Sequence, residues 1–168
     1  MRIFVDADSC PKAAREMVLR FSARLGIKSI FAANRPIPGL TETALMELCP
    51  SGEGAADDRI VELAGTEDLV LTRDLPLAER LVEAGVTVLD DRGRVFTEEN
   101  IRERRSIRDF TVGLAENGLD FERTPSYGKK DLNGLANSLD RELSKLNRPG
   151  KLDASLKVGE YLSIVNKG

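Results

Sequence analysis

The residues best suited to do chemistry in this chain of 168 residues are aspartates that follow short apolar runs. Asp6 and Asp8 directly follow the first apolar run, and Asp74 closely follows the apolar run 69–71. Asp90 and Asp91 follow the run 86–89, and Asp57 and Asp58 stand in the first turn of a predicted helix. In an open α/β sheet, ligands bind outside the carboxyl ends of the strands. We therefore predict that these four acidic groups gather at one edge of a sheet.

Such a cluster favours a bound cation, because carboxylates within ~4–6 Å of one another repel and raise each other's pKa. The chain has no histidine, which excludes imidazole acid–base catalysis and His-ligated zinc or iron sites. Its two cysteines, Cys10 and Cys49, form no CxxC motif, so neither a disulfide nor a four-ligand zinc site is expected. Oxygen ligands alone point to Mg²⁺ or Mn²⁺ as the cofactor.

Any of these aspartates is a candidate metal ligand and catalytic residue. Asp6 and Asp74 are the most direct ligands, because apolar strands fix their positions, while Asp8 and Asp57 complete or orient the shell. Asp6 and Asp8 are two residues apart and point the same way if the extended geometry of the strand persists. The alternative for each aspartate taken singly is structural: a turn residue, an N-cap or a partner of a helix dipole. A supporting set of polar residues is predicted around the ligands: Thr72, Asn34, Asp58 and Asp90.

The elements that must position these residues alternate between strands and helices. This alternation implies right-handed βαβ crossovers and a mostly parallel sheet covered on both faces, a three-layer α/β/α fold. Helices predicted at 98–116 and 129–146 should pack on the sheet, giving one domain over 1–147 and a peripheral tail over 148–168. The earlier elements are predicted as strands at 3–5, 28–33, 68–72 and 86–89, helices at 11–25, 55–64 and 75–83, and a strand or short helix at 44–49.

Composition bounds the class of protein. With 41% hydrophobic and 32% charged residues and a net charge of −3, the chain is typical of a globular domain. No apolar run approaches the ~20 residues of a membrane span, and the start of the chain lacks a signal-peptide core, so we expect a cytoplasmic protein without a membrane partner. A net acidic protein has no global attraction to nucleic acid, so binding to RNA or DNA would need a local basic patch.

One helix offers such a patch. Four arginines, spaced so that they could contact phosphates, are the predicted nucleic-acid-binding residues. Glu103 and Asp109 lie among them, so the alternative is a solvated face of ion pairs. The four residues are Arg102, Arg104, Arg105 and Arg108.

Four segments together resemble the bacterial YaiI/YqxD family, also called UPF0178 or DUF188. The resemblance covers about residues 1–147 in unbroken order and is most specific in its first and third segments. Three residues depart from the usual pattern: Ser9 stands in place of Ala, Arg73 in place of a small or amide residue, and Asp91 in place of Pro. The segments are 5–11 (VDADSCP), 55–61 (AADDRIV), 68–78 (DLVLTRDLPLA), and 100–104 followed by 108–110.

The family is uncharacterised and is grouped by fold with the PIN-like nucleases. The resemblance therefore implies a PIN-like domain with a metal-dependent nuclease site that acts on RNA or DNA phosphodiesters. Asp6, Asp8, Asp57 and Asp74 match the acidic positions of the family's motifs, whereas Asp58 matches less well.

Two other functions remain open. The stretch from Phe4 to Asp8 resembles the nucleophile motif of haloacid-dehalogenase-like phosphatases, which would make Asp6 a nucleophile. The order of motifs argues against this, because the acidic pair Asp57-Asp58 precedes Thr72 here but comes last, after a lysine, in that superfamily. The third interpretation is a fold that has lost its metal site and serves as a nucleic-acid-binding or interaction module.

Overall fold

A computed structural model describes residues 1–52, 54–116 and 126–147 of the chain, with the backbone alone at 113–116. The predicted tail 148–168 and most of the predicted loop 118–128 lie outside these residues. Within the described residues, no helix is both long and apolar enough to cross a membrane.

Five parallel strands form a single sheet in the described part of the chain, with the order β3-β2-β1-β4-β5. The ambiguous segment near residue 44 is a strand, and it pairs in parallel with β2 at one edge of the sheet. The prediction of a mostly parallel sheet is confirmed. The strands are β1 (Ile3–Asp6), β2 (Ser29–Ala33), β3 (Ala44–Leu48), β4 (Leu69–Leu71) and β5 (Thr87–Leu89).

Helices cover both faces of the sheet, so the predicted three-layer α/β/α arrangement is confirmed. One face packs against α1 and α5, and the other packs against α2, α3 and α4. The two C-terminal helices belong to these layers, since Ile101 of α4 and Leu139 of α5 are buried in the two cores. The helices are α1 (Lys12–Leu25), α2 (Ala55–Leu63), α3 (Leu75–Glu83), α4 (Glu98–Glu116) and α5 (Lys129–Leu146).

Side chains along β1 alternate between the two cores. Ile3 and Val5 lie in the core beneath α1 and α5, whereas Phe4 lies in the core beneath α2 and α3. All three are fully buried, as expected for a central strand of a parallel sheet. The same alternation places Asp6 on the α2/α3 side of the carboxyl edge.

The order of the strands creates one topological switch point, between β1 and β4. The chain proceeds from β1 outward through β2 to β3, and then returns to β4 and continues outward through β5 on the other side. Val5 is paired with Leu71, so Asp6 and Thr72 stand side by side where the two strands end. In sheets of this kind, the crevice at the switch point is the usual ligand site.

Candidate functional site

One threonine connects the two aspartates at the switch point. The Thr72 hydroxyl donates to Oδ2 of Asp6 at 2.8 Å and accepts from the backbone N–H of Asp74 at 2.9 Å. Asp6 is only 4% exposed and Thr72 is fully buried. The structure thus brings together Asp6, Asp74 and the predicted supporting residue Thr72.

Asp74 has a second role, as the N-cap of α3. Its Oδ1 accepts from the backbone N–H of Leu77 at 2.8 Å, and Pro76 occupies the first turn, where no N–H is needed. The structural interpretation of Asp74 is therefore correct, but it accounts for only one carboxylate oxygen. No donor in the described residues reaches Oδ2.

Asp57, in the first turn of α2, faces the same cluster. Burial, followed by the negative charges of Asp6 and Asp74, raises the pKa of Asp57 to about 6. Its carboxylate makes no hydrogen bond or ion pair with any described residue. Three carboxylates from three separate elements therefore interact electrostatically at the edge where β1 and β4 end.

The neighbouring Asp58 points elsewhere. Its side chain is 72% exposed and forms an ion pair with Arg80 of α3, with 2.8 Å between Oδ1 and Nη2. Arg80 is also the cation whose charge lowers the pKa of Asp57. Both charges of this pair act on Asp57, since Asp58 raises its pKa and Arg80 lowers it, but the Asp58 carboxylate is engaged by Arg80 and not by the cluster.

Asp8 does not join the other three in the structure. The extended geometry of β1 ends at Asp6, and the chain turns immediately, with the backbone N–H of Cys10 donating to the Asp6 carbonyl at 3.2 Å. Oδ2 of Asp8 accepts from the backbone N–H of Asn34 at 3.1 Å, and Oδ1 lies 3.6 Å from Nε of Arg35. Asp8 and Asn34 therefore contact each other beyond the end of β2, and the turn explains why Asp6 and Asp8 diverge.

Asp90 closes the turn after β5. Its Oδ1 accepts from the backbone N–H groups of Arg92 and Arg94 at 3.0 and 2.8 Å, and its Oδ2 accepts from Arg104 at 3.1 Å. Both oxygens of this buried carboxylate are thus engaged. The contacts give Asp90 a structural role that needs no ligand.

The arginines of α4 are mostly paired within the protein. Arg104 binds Asp90 and lies 4.8 Å from the centre of the Phe96 ring. Three ion pairs along the helix favour the solvated face of ion pairs that the interleaved acids suggested, and Arg108 alone of the four lacks a partner among the described residues. The ion pairs are Arg102–Glu98 at 3.6 Å, Arg104–Asp90 at 3.1 Å and Arg105–Glu79 at 2.8 Å.

The edge holds another buried carboxylate, Asp91, which sequence reasoning placed there but left out of the site. Burial raises the pKa of Asp91, and the charge of Arg73 opposes the shift. Oδ2 of Asp91 lies 3.7 Å from Nε of Arg73. No local pattern in the sequence links the two loops that carry these residues.

The donor atoms of the cluster suit a hard cation, but their positions in the structure are too far apart to bind one. Asp6, Asp57 and Asp74 supply carboxylate oxygens, the donors preferred by Mg²⁺ and Mn²⁺, and each has at least one oxygen that no described residue contacts. As the side chains stand, no three acidic or thiol groups in the described ranges are close enough to hold an ion together. Binding would therefore require these side chains to rotate toward one another.

Comparison with known proteins gives a consistent result. The sequence profile of the uncharacterized YaiI/YqxD family matches residues 4–145. A UPF0178 protein of Treponema pallidum (strain Nichols) is 47% identical over 150 residues, which cover 88% of this chain and 84% of the relative. Another UPF0178 protein, from Myxococcus xanthus (strain DK1622), is 42% identical over 148 residues, which cover 87% and 96% of the two chains. No solved structure matches the chain.

Proposed function

The chain belongs to the uncharacterized YaiI/YqxD (UPF0178) family, and we propose that it is a metal-dependent phosphodiester hydrolase acting on nucleic acid. One observation carries the proposal: Asp6, Asp57 and Asp74 come from three elements to the topological switch point, where their charges act on one another. Like charges held together in a partly buried place favour a bound cation.

The contacts that orient each carboxylate suggest its role at the metal site. Asp6 and Asp74 would hold the cation, because Thr72 orients the first and the cap of α3 orients the second. Asp57 would complete the shell from α2. When bound, Mg²⁺ or Mn²⁺ supplies an activated water and offsets charge on the scissile phosphate. Asp8 and Asp90, whose oxygens are engaged by other groups, have no part in this arrangement.

The family that the sequence resembles is grouped by fold with the PIN-like nucleases, and this grouping supports a phosphodiester substrate. The phosphatase alternative needs Asp6 as a nucleophile, but Asp6 is 4% exposed and its Oδ2 already accepts from Thr72. The order of the motifs also argues against a phosphatase. Hydrolysis by water at a metal site requires only that the carboxylates hold the cation.

A cleavage screen with purified protein tests the proposal. Single-stranded RNA, single-stranded DNA, duplexes and a phosphomonoester are incubated with and without Mn²⁺. We expect Mn²⁺-dependent cleavage of a nucleic acid, which Asp6→Asn and Asp74→Asn each abolish. Asn is itself a good N-cap, so Asp74→Asn removes the charge and keeps the start of α3. Asp58→Asn, one residue from Asp57 but outside the cluster, is the matched control and should cleave normally.

Three results would count against the proposal. Turnover of the phosphomonoester with a beryllofluoride adduct on Asp6 would favour the phosphatase. Intact nucleic acid after long incubation, with RNA still bound by Asp6→Asn, would favour a binding module. Equal loss of cleavage in Asp58→Asn and Asp6→Asn would show that the effect does not come from the cluster.

A further inference from the structure

The backbone at Arg73 is tied to the candidate site by a second hydroxyl. The backbone N–H of Arg73 donates to Oγ of Ser9 at 3.2 Å, and that hydroxyl donates to the Asp6 carbonyl at 3.3 Å. Arg73 also stands between Thr72 and Asp74, whose contacts with the cluster were described above. The position of its Cα is therefore fixed from both β1 and β4.

From this fixed backbone, the side chain of Arg73 extends toward the end of β5. Its Nε lies 3.7 Å from Oδ2 of Asp91, beyond hydrogen-bond distance, and its side chain is 52% exposed while that of Asp91 is 5% exposed. No N–H of this guanidinium donates to a described residue. By contrast, Arg104 and Arg105 donate to carboxylates at 3.1 and 2.8 Å.

This combination is characteristic of a group held for a ligand. A guanidinium presents five N–H donors in a fixed fork that matches phosphate oxygens. The buried Asp91 attracts the base of the fork without occupying its donors, so the outer N–H groups stay available to solvent. The exposed pair Arg102–Glu98 is as loose, at 3.6 Å, but in the Arg73 pair the carboxylate is buried and the arginine is anchored beside the cluster.

We propose that Arg73, oriented by Asp91, binds a phosphate of the substrate strand next to the aspartate cluster. The inference rests on the proposed function and names the second part of the same site: carboxylates for the cation and an arginine for a flanking phosphate. Arg73 lies on the β5 side of the edge, whereas Asp57 lies on the α2 side, so the contacted phosphate flanks the scissile one. The substrate is thus a polyanion with more than one phosphate.

The positive charge of Arg73 would offset electrostatic repulsion between this edge and a nucleic-acid strand. The chain carries a net charge of −3, and the cluster itself is negative, so the edge would repel a nucleic-acid strand. One arginine that binds a phosphate releases counterions, which makes binding salt-dependent, with a slope of roughly 0.7 per contact for a single strand. This slope reports the contact independently of catalysis.

The test measures binding and cleavage separately. Binding of fluorescein-labelled oligouridylate and oligodeoxythymidylate is titrated against salt in the Asp6→Asn background, and kcat and KM are measured in the active background. We expect Arg73→Ala to reduce the slope of log K against log salt by about 0.7 and to weaken binding about tenfold. We also expect KM to rise about tenfold while kcat stays the same, with partial rescue in Arg73→Lys.

Two controls isolate the contact. Lys28 is exposed just before β2, at the opposite edge of the sheet. The variant Lys28→Ala also removes one positive charge, and its slope should equal that of the parent protein. The double variant Arg73→Ala/Asp91→Asn removes the buried charge that Arg73→Ala leaves unpaired, so it reports the contact even if the single variant unfolds.

The outcomes separate this inference from the proposed function. An unchanged slope and KM in Arg73→Ala, or an equal reduction in Lys28→Ala, overturns the role of Arg73 whether or not the wild type cleaves. A reduced slope in Arg108→Ala alone would place the strand on α4 instead. If the wild type binds an oligonucleotide but does not cleave it, the proposed hydrolase function is wrong. The salt-dependence slope still tests whether Arg73 binds a phosphate. If neither oligonucleotide binds, both proposals fail.

Discussion

Replacing Asp57 by asparagine should stabilise the protein at neutral pH when divalent cations are removed. Burial, together with the charges of Asp6 and Asp74, raises the pKa of Asp57 to about 6, so the native state holds this proton more tightly than the unfolded chain does. The free energy of unfolding therefore falls as pH rises from about 4 to about 6 and stays reduced above that. Asparagine has nearly the same shape and carries no charge to repel.

The size of the gain follows from the shift in pKa. About two pKa units correspond to about 3 kcal/mol when solvent does not screen the charges. Because Asp57 is half-buried, screening lowers the expected gain in free energy of unfolding to about 1–2 kcal/mol. In a domain of this size, each kcal/mol raises Tm by roughly 2–4 °C.

Urea unfolding followed by circular dichroism, in EDTA at pH 7 and at pH 4, measures the effect. We expect the free energy of unfolding of Asp57→Asn to exceed that of the wild type at pH 7. At pH 4 the two values should be nearly equal, because the native Asp57 is already protonated there. Asp58→Asn is the control, because both aspartates lie in the first turn of α2 and lose the same interaction with the helix dipole. Its exposed ion pair with Arg80 is worth less than about 1 kcal/mol, and its loss destabilises.

Two results would refute this reasoning. If Asp57→Asn is no more stable than the wild type at pH 7, the three carboxylates do not repel one another in the folded protein. If the gain is the same at pH 4 as at pH 7, the gain does not come from the charge of Asp57.

Three further effects are expected. Mn²⁺ should raise the Tm of the wild type more than that of Asp6→Asn in thermal melts, because the bound ion stabilises the folded state by mass action, and equal shifts would argue against a site. Gly93→Ala should cost more than about 2 kcal/mol in urea unfolding, because the new Cβ meets the Gly134 carbonyl, whereas Gly39→Ala, at a similar positive φ in open space, should cost about 1 kcal/mol. Asp68→Ala should cost about 2–3 kcal/mol, since the backbone N–H groups of Arg2 and Gly65 lose their buried acceptor; a cost below about 1 kcal/mol would contradict this.

Apolar runs bounded by turn residues were sufficient to predict most of the fold. Fully apolar segments as short as 69–71 favour central strands when predicted helices flank them, and the cap at Asp74 placed the start of α3. The segment at 44–48 was ambiguous, because an edge strand is buried on fewer sides and its apolar residues do not alternate clearly. Its identity as a strand depends on pairing with β2, a contact distant in sequence.

The candidate site was predictable as a location but not as a set of contacts. The carboxyl edge follows from the βαβ pattern, and the Asp6–Thr72 contact follows from the register of β1 with β4, which no local pattern specifies. Asp8 was expected beside Asp6 on the assumption that the strand continues, and a turn that begins one residue later sends it toward Asn34. The Arg73–Asp91 pair joins two loops and has no signal in either loop alone.

Aspartates at opposite edges of the same sheet differ in how far the protein satisfies their oxygens. Asp68, just before β4 at the amino edge, is fully buried and accepts from the backbone and guanidinium of Arg2 and from the backbone of Gly65, so both oxygens are satisfied. At the carboxyl edge, Asp6 and Asp74 each have one oxygen engaged, and Asp57 has none. The oxygens left without donors on these three carboxylates, and the charges of Asp6 and Asp74 acting on Asp57, destabilise the fold at the switch point. The difference between the edges lies in which carboxylate oxygens the described residues satisfy.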